Sequence, residues 1–274
     1  MNPAGAILDP KPASSDQLLE FFAPHADREG AVLLESTLTA HGRGQRSFAA
    51  ANPVDRWRID THQPLPADWQ TQLNRFTADR SKFYTLFLSY EFGREALTGQ
   101  TTTAPADDPF PKLVCYRYDN VLEITHHSPA VTNSHTPEHK TAPRAQLISR
   151  PDPQRYLADI NIIKSHIFEG DIYQANYTGQ WRLQSDDPPW TVYQRLRQLN
   201  PGQYAGFANL GSHTVLSSSP ERLFCVEGDI ITANPIKGTI ARGATEQESA
   251  HNRNSLLNSA KDRAELLMIV DLLR

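Results

Sequence analysis

Residues 217–243 read SSSPERLFCVEGDIITANPIKGTIARG, and the reading of the whole chain turns on them. Two apolar runs, 223–226 and 230–231, flank Glu227-Gly228-Asp229. Glycine and aspartate between β-prone segments predict a hairpin. Pro220 and Pro235 fall outside the apolar runs, where a missing N–H does not interrupt a ladder. With the hairpin axis near residue 228 or 229, Glu221 and Lys237 come roughly opposite each other. Directly opposed residues hold their Cβ atoms about 5 Å apart. The spacing therefore predicts one carboxyl and one amine over a shared spot. A lysine partly buried beside Pro235 and Ile236 can lose its proton and become a nucleophile. A carboxyl in apolar surroundings can keep its proton and pass it to a leaving group. The two demands conflict, because an ionised Glu221 keeps Lys237 charged. The proton must sit on the acid, or a third charge must redistribute it. The plain alternative is an exposed Glu–Lys pair contributing well under ~1 kcal/mol.

Upstream, residues 203–210 predict a strand leading into the hairpin. Residues 189–199 predict a short helix with Tyr193 and Leu196 inward, stopped by Asn200-Pro201. In residues 154–169, Tyr156, Ile160, Ile163 and Ile167 recur at helical steps, and Gly170 stands where a helix ends. Residues 171–178, DIYQANYT, read as the strand that follows. Downstream, residues 246–257 predict a polar helix and residues 262–274 an apolar one. In the latter, Leu266, Ile269, Val270 and Leu273 form a stripe that reaches the last residue without a stop signal. Residues 126–151 are poor in apolar side chains and rich in His, Pro, Thr and Ser. They predict a linker or long exposed loop between an N-terminal region, 1–125, and a second region, 152–274. His126, His127, His135 and His139 raise a metal site there, but a flexible segment holds ligands poorly. In the first region, residues 16–23 predict a short helix and residues 31–36 (AVLLES) a buried strand. Residues 82–93 (KFYTLFLSYEFG) predict a central strand, residues 99–111 a loop, and residues 112–124 a further strand pair.

The composition sets bounds. A chain of 274 residues can bury a sizeable core in one large domain or two small ones. A net charge of -4 argues against a nucleic-acid partner, which would call for a basic patch. No apolar run approaches the roughly 20 residues that span a bilayer, so no membrane partner is expected. The N-terminal MNPAGAILDPKPASSDQ lacks the charged and apolar regions of a secretory signal. Cys115 and Cys225 stand in unrelated contexts and predict reduced, buried thiols in a cytoplasmic protein. Neither they nor the histidines have zinc-ligand spacing. Gly42-Arg43-Gly44 lacks the later residues of a phosphate loop.

Ser219-Pro220-Glu221-Arg222 and Pro235-Ile236-Lys237-Gly238-Thr239 resemble a motif pair of the chorismate-utilising enzymes. These include anthranilate synthase component I, isochorismate and salicylate synthases, and aminodeoxychorismate synthase component I. The third position of the second motif divides them. Anthranilate synthases usually carry alanine there, and lysine-type aminodeoxychorismate synthases read PIKGT, as this chain does. Gly170-Asp171 with Tyr173-Gln174-Ala175-Asn176 is also similar to these enzymes. It lies closer to aminodeoxychorismate synthases than to the Phe-Gln-x-Val of anthranilate synthases. Ser89-Tyr90-Glu91-Phe92-Gly93 resembles a strand of the same families, where core packing explains it. Leu33-Leu34-Glu35-Ser36 resembles a segment of anthranilate synthase component I whose serine lines an amino-acid pocket for tryptophan. The resemblance places such a pocket at Ser36 and Tyr204, although Gln203-Tyr204 stands where tryptophan-binding members read Pro-Tyr or Pro-Phe. The alternative for Ser36 is a strand end entering a polar loop.

The resemblance implies an α+β fold, a two-sheet sandwich of antiparallel β-sheets flanked by helices. Residues 1–125 would be an anthranilate-synthase-component-I-like region and residues 152–274 the first part of a chorismate-binding domain. Relatives continue well beyond the position of Arg274, so the chain is expected to be an N-terminal portion. The implied activity is component I of 4-amino-4-deoxychorismate synthase, on the route to 4-aminobenzoate and folate. Lys237 attacks C2 of chorismate while the C4 hydroxyl leaves with a proton from Glu221, and ammonia then adds at C4 and expels the lysine. Gly238 and Thr239 contact the substrate. Glu265 helps hold Mg2+ against the substrate's C1 carboxylate. Without the resemblance, Glu265 reads as a first-turn carboxylate complementing a helix dipole. A glutamine amidotransferase subunit supplies the ammonia, since the chain has no nucleophilic cysteine motif for glutamine hydrolysis. Two other readings stand beside this one. Anthranilate synthase component I is favoured by residues 33–36 and opposed by Lys237 and residues 173–176. A catalytically incomplete chain that acts only by binding is the other.

Overall fold

The computed structural model describes residues 15–38, 45–101, 110–126 and 145–273. The chain opens with α1 (Ser15–Phe22), β1 (Val32–Glu35), β2 (Arg46–Ala50), β3 (Asp55–Ile59) and α2 (Trp69–Phe76). It continues through β4 (Phe83–Leu88), α3 (Tyr90–Thr98), β5 (Leu113–Tyr118), β6 (Leu122–Thr125) and β7 (Ala145–Ser149). Then come α4 (Pro153–Glu169), β8 (Arg182–Ser185), α5 (Pro189–Leu199), β9 (Tyr204–Asn209) and β10 (Thr214–Ser219). A short hairpin, β11 (Cys225–Glu227) and β12 (Ile230–Thr232), leads to α6 (Glu246–Asn258) and α7 (Ala260–Leu273). The residues fall into two units, Met1–Ser134 with Tyr193–Arg274, and His135–Val192. Among the described residues, no helix is long and apolar enough to cross a membrane.

In the first unit a five-stranded antiparallel sheet runs β10-β9-β1-β2-β6 and a three-stranded one β3-β5-β4. Period-two alternation in β5 decides how they pack. Val114, Tyr116 and Tyr118 share a core with Ala50, Phe48, Val215 and Leu210 of the larger sheet and its flanks. Phe48 stacks on Phe83 across this interface, with ring centres 5.6 Å apart. Leu113 and Cys115 point the other way, into a core with Trp69 and Leu73 of α2 and Phe92 of α3. The far face of the larger sheet takes α1, whose Phe22 meets Phe207 edge-on at 5.6 Å. This is the expected α+β arrangement of antiparallel sheets flanked by helices.

Several elements differ from expectation. Residues 82–93 are not one central strand. β4 is an edge strand and stops at Leu88, because the Ser89 hydroxyl accepts the Phe92 N–H (3.2 Å) and starts α3, which Gly99 closes at φ 68°. The two strands expected in 112–124 form but do not pair, since β5 and β6 belong to different sheets. Residues 171–178 form no strand, having no ladder partner among the described residues. In 126–151, residues 127–144 lie outside the described residues, and β7 pairs with β8. Most of the 99–111 loop, and His127, His135 and His139, lie outside them too. Cys115 is buried, which pushes its thiol up to about 12, but Cys225 is only half-buried. Strands from residues 1–125 and from residues 152–274 pair within the larger sheet. β1 sits mid-sheet and needs partners on both edges; β2 supplies one and β9 the other.

The second core holds one buried ion pair. Lys112 (0% exposed) donates to Glu95 (6%) at 2.5 Å and to the Gln63 carbonyl at 2.8 Å, while Glu95 also accepts the Leu65 N–H (2.8 Å). Burial alone would raise the Glu95 pKa, but the Leu65 N–H and the Lys112 ammonium hold it below its ordinary value. A carboxylate depressed in the folded state stabilises above its unfolded pKa, and that contribution is lost as pH falls through the folded value. Lys112→Met strands a buried carboxylate and is expected to cost about 3–5 kcal/mol in urea unfolding at neutral pH. Lys112→Met with Glu95→Leu is expected to recover most of that loss and to flatten acid sensitivity below about pH 4.5.

Candidate functional site

β10 ends at Ser219 because the Pro220 nitrogen has no proton for another rung. The Ser219 hydroxyl donates to the Glu221 carbonyl (2.9 Å) and accepts the Glu221 N–H (3.3 Å), closing a tight turn. The hairpin that follows pairs Glu227 with Ile230, Val226 with Ile231 and Cys225 with Thr232. Its axis lies between Gly228 (φ 61°) and Asp229, and its ladder stops at Cys225. Carried outward, this register sets Ile236, not Lys237, across from Glu221. The facing pair expected from the spacing is therefore not formed by the ladder; Pro220 and Pro235 remove the rungs that would extend it. Glu221 is exposed and Lys237 half-buried.

What the fold does bring together is the Lys237-Gly238-Thr239 segment and the start of α7. Gly238 has φ 74°, and a Cβ there would lie 2.9 Å from both Asp262 Cγ and Leu256 Cδ1. Only glycine meets both demands. The segment is thus seated on the junction of α6 and α7, with Thr239 exposed. Asp262 and Glu265 are three residues apart on α7 and share a face. Glu265 is half-buried and lies 3.8 Å from the Lys261 ammonium. A single carboxylate of this kind fits a magnesium ion that keeps several waters and binds substrate directly. Among the described residues, Glu265 belongs to no group of three converging ligand atoms.

A cavity of about 610 Å³ is lined by Glu35, Phe48, Tyr204, Arg222 and Asn234 among others. Tyr204 forms one of its walls. Ser36 is not among the lining residues, because local bonds occupy it. Its hydroxyl donates to the Leu38 carbonyl (3.1 Å) and its N–H to Ser47 Oγ (2.9 Å), which also meets His126 Nε2 at 2.8 Å. Burial lowers the His126 pKa, with Glu35 opposing it. Arg222 lies over the Tyr204 ring at 5.7 Å, and its buried Nε has no hydrogen-bond partner among the described residues. The cavity therefore offers an uncommitted cationic donor beside an aromatic face.

Glu35 is the functional-looking residue that sequence reasoning passed over. Its Oε1 accepts the Tyr193 hydroxyl (2.7 Å) and Arg197 Nε (2.7 Å), and its Oε2 accepts Arg197 Nη2 (2.9 Å). Burial, with Glu35 beside it, keeps the Tyr193 hydroxyl protonated far above its ordinary range. Burial disfavours the Arg197 charge, but Glu35 outweighs it and raises the Arg197 pKa. The available signal was a lone glutamate in an apolar strand, with Tyr193 and Arg197 four apart on one helix face. Because these donors already occupy it, Glu35 presents the cavity with a neutralised charge.

The family model described as chorismate binding enzyme matches residues 29–274, a span that includes every feature above. The chain belongs to the chorismate binding enzyme family. An aminodeoxychorismate synthase of Streptomyces griseus is 41% identical over 126 residues, 46% of this chain and 17% of that protein. The aminodeoxychorismate synthase component 1 of Klebsiella aerogenes is 29% identical across 92% of this chain and 61% of its own length. A probable anthranilate synthase component 1 of Schizosaccharomyces pombe is 39% identical over 119 residues, 43% of this chain and 24% of that one. The chain thus spans between 17% and 61% of the length of these relatives. Anthranilate synthase component I from Streptococcus pneumoniae matches in structure with a TM-score of 0.61, over 86% of this chain and 61% of that chain. At 19% identity, that likeness shows a shared fold.

In this chorismate binding enzyme, the Glu35 cluster is expected to dominate the stability of the cavity's β1 wall. Arg197→Met leaves a buried carboxylate with one neutral donor and should cost about 3–5 kcal/mol in urea unfolding. Tyr193→Phe removes one hydrogen bond and should cost about 1 kcal/mol. Equal, small losses in both variants would show that the carboxylate finds its compensation elsewhere.

Proposed function

We propose that the chain supplies the lysine nucleophile and proton donor of component I of an aminodeoxychorismate synthase. The observation that carries this reading is Lys237 in the glycine-seated segment against α7, in a chain of this family. A half-buried lysine held by a rigid neighbour has less freedom to lose on reaching a ring carbon. In the proposed reaction, the Lys237 amine forms a bond to C2 of chorismate, the ring double bonds shift, and the C4–O bond breaks. Glu221 gives its proton to the departing hydroxyl, which leaves as water. Ammonia from a glutamine amidotransferase partner then forms the C4–N bond, the double bonds shift back, and the bond to Lys237 breaks. Gly238 and Thr239 lie along the substrate. A bound magnesium ion would neutralise the substrate's C1 carboxylate, and Glu265 is the residue that would hold it. Because the hairpin ladder does not join Glu221 to Lys237, the substrate ring has to lie between them for both to act.

A second reading, anthranilate synthase component I, is favoured by residues 33–36 and by the 39% identity to the fission-yeast protein. There ammonia attacks C2 directly and no lysine adduct forms. Intact-protein mass spectrometry after incubation with chorismate and magnesium separates the two. The expected result is an adduct equal to chorismate less water, absent in Lys237→Ala. An equal adduct in Lys237→Ala overturns the assignment, as does anthranilate as the product with ammonia.

We also assign the amino-acid pocket to the cavity beside Tyr204, with the ligand carboxylate on Arg222 and Ser36 behind the wall. Tryptophan binding measured by calorimetry should weaken about tenfold or more in Arg222→Ala, the loss of one charge-assisted hydrogen bond. Unchanged affinity in that variant would remove Arg222 from the pocket.

A further inference from the structure

The unit His135–Val192 carries a group of ligand-type side chains that none of this chemistry uses. α4 ends at Gly170 (φ 84°), where the Gly170 N–H donates to the Ile167 carbonyl (3.2 Å) and the Asp171 N–H to the His166 carbonyl (3.0 Å). This reversal folds Asp171 back alongside the last helical turn. His166 Nδ1 then lies 2.8 Å from Asp171 Oδ2. Glu169 joins them, and one ligand atom from each residue lies within 4.8 Å of the others. Two ligand atoms bonded to one tetrahedral zinc at about 2.0–2.1 Å stand roughly 3.3 Å apart, so the His166–Asp171 pair has to open only slightly from its hydrogen-bonded spacing to admit the ion.

Three further features favour a cation. The group sits at a helix C-terminus, the negative end of its dipole. Both carboxylates are exposed, which leaves coordination positions open to water. The backbone that carries all three side chains is fixed by the helix and its cap. A donor set with one imidazole and two carboxylates selects a first-row transition ion over magnesium or calcium, which prefer oxygen alone.

We propose that His166, Glu169 and Asp171 form a binding site for a divalent transition-metal ion of the zinc class. The ion replaces the proton that His166 and Asp171 share, and that proton passes to solvent. The bound ion would tie the end of α4 to residues 171–178, a segment that lacks a ladder partner among the described residues.

The test is zinc titration of the full chain by calorimetry at neutral pH, with His166→Ala and Glu169→Gln beside the wild type. Both side chains are exposed, so both variants should fold. Wild type is expected to bind one equivalent more than His166→Ala, and Glu169→Gln to bind that equivalent about tenfold or more weakly. Zinc should also slow amide exchange in residues 171–178 of the wild type alone. Equal stoichiometry and affinity in wild type and His166→Ala overturns the site. This readout does not involve chorismate, so it stands or falls apart from the lysine chemistry.

Discussion

A carboxylate removed from water has to be met by donors of equal commitment, and in this chain Glu35 sets that condition. It sits on the strand that joins the two ends of the larger sheet, and its partners come from a helix about 160 residues further on. The fork of Arg197 and the hydroxyl of Tyr193 reach it only if α5 is docked and β9 is paired beside β1. The charge therefore penalises every arrangement in which the late part of the chain lies elsewhere. Hydrophobic contacts such as Phe22 and Tyr193 on Phe207 supply the attraction, while Glu35 makes the docking directional.

Local signals were legible wherever a residue type has a single structural use. The Gly228-Asp229 turn, Gly170 at the end of α4 and Asn200-Pro201 after α5 fixed their elements to within a residue or two. Failures came where two signals overlapped or a distant partner decided. Ser89 sits inside an apolar run that suits a strand, yet its hydroxyl caps a helix. Residues 171–178 have strand-like side chains but no neighbouring edge, and propensity alone does not make a ladder. Membership of β5 and β6 in different sheets is set by which face each buries, which no local pattern states.

The candidate site divides along the same line. The motif residues could be named from their order in the chain, because each is held by local geometry. Their mutual arrangement could not, because a two-residue turn shifted the pairing by one position and the prolines ended it early. The seat of Gly238 on Asp262 and Leu256 became visible only once α6 and α7 were placed. Arg222 lies beside a predicted acid, yet it turns toward a separate cavity and the ring of Tyr204. One stretch of backbone thereby carries Glu221 and also lines the cavity through its neighbour Arg222.

The central place of β1 also bears on how the chain is made. β1 pairs with β2 soon after both have been synthesised, but its other neighbour, β9, is encoded about 170 residues later. At a translation rate of about 5–20 residues per second, that edge stays open for roughly ten to thirty seconds on the ribosome. During that interval the apolar Ala31-Val32-Leu33-Leu34 run offers unpaired backbone to any passing strand. A chain built from neighbouring hairpins would close each such edge within a few residues of synthesis, whereas here the exposure lasts for most of the time the chain takes to emerge.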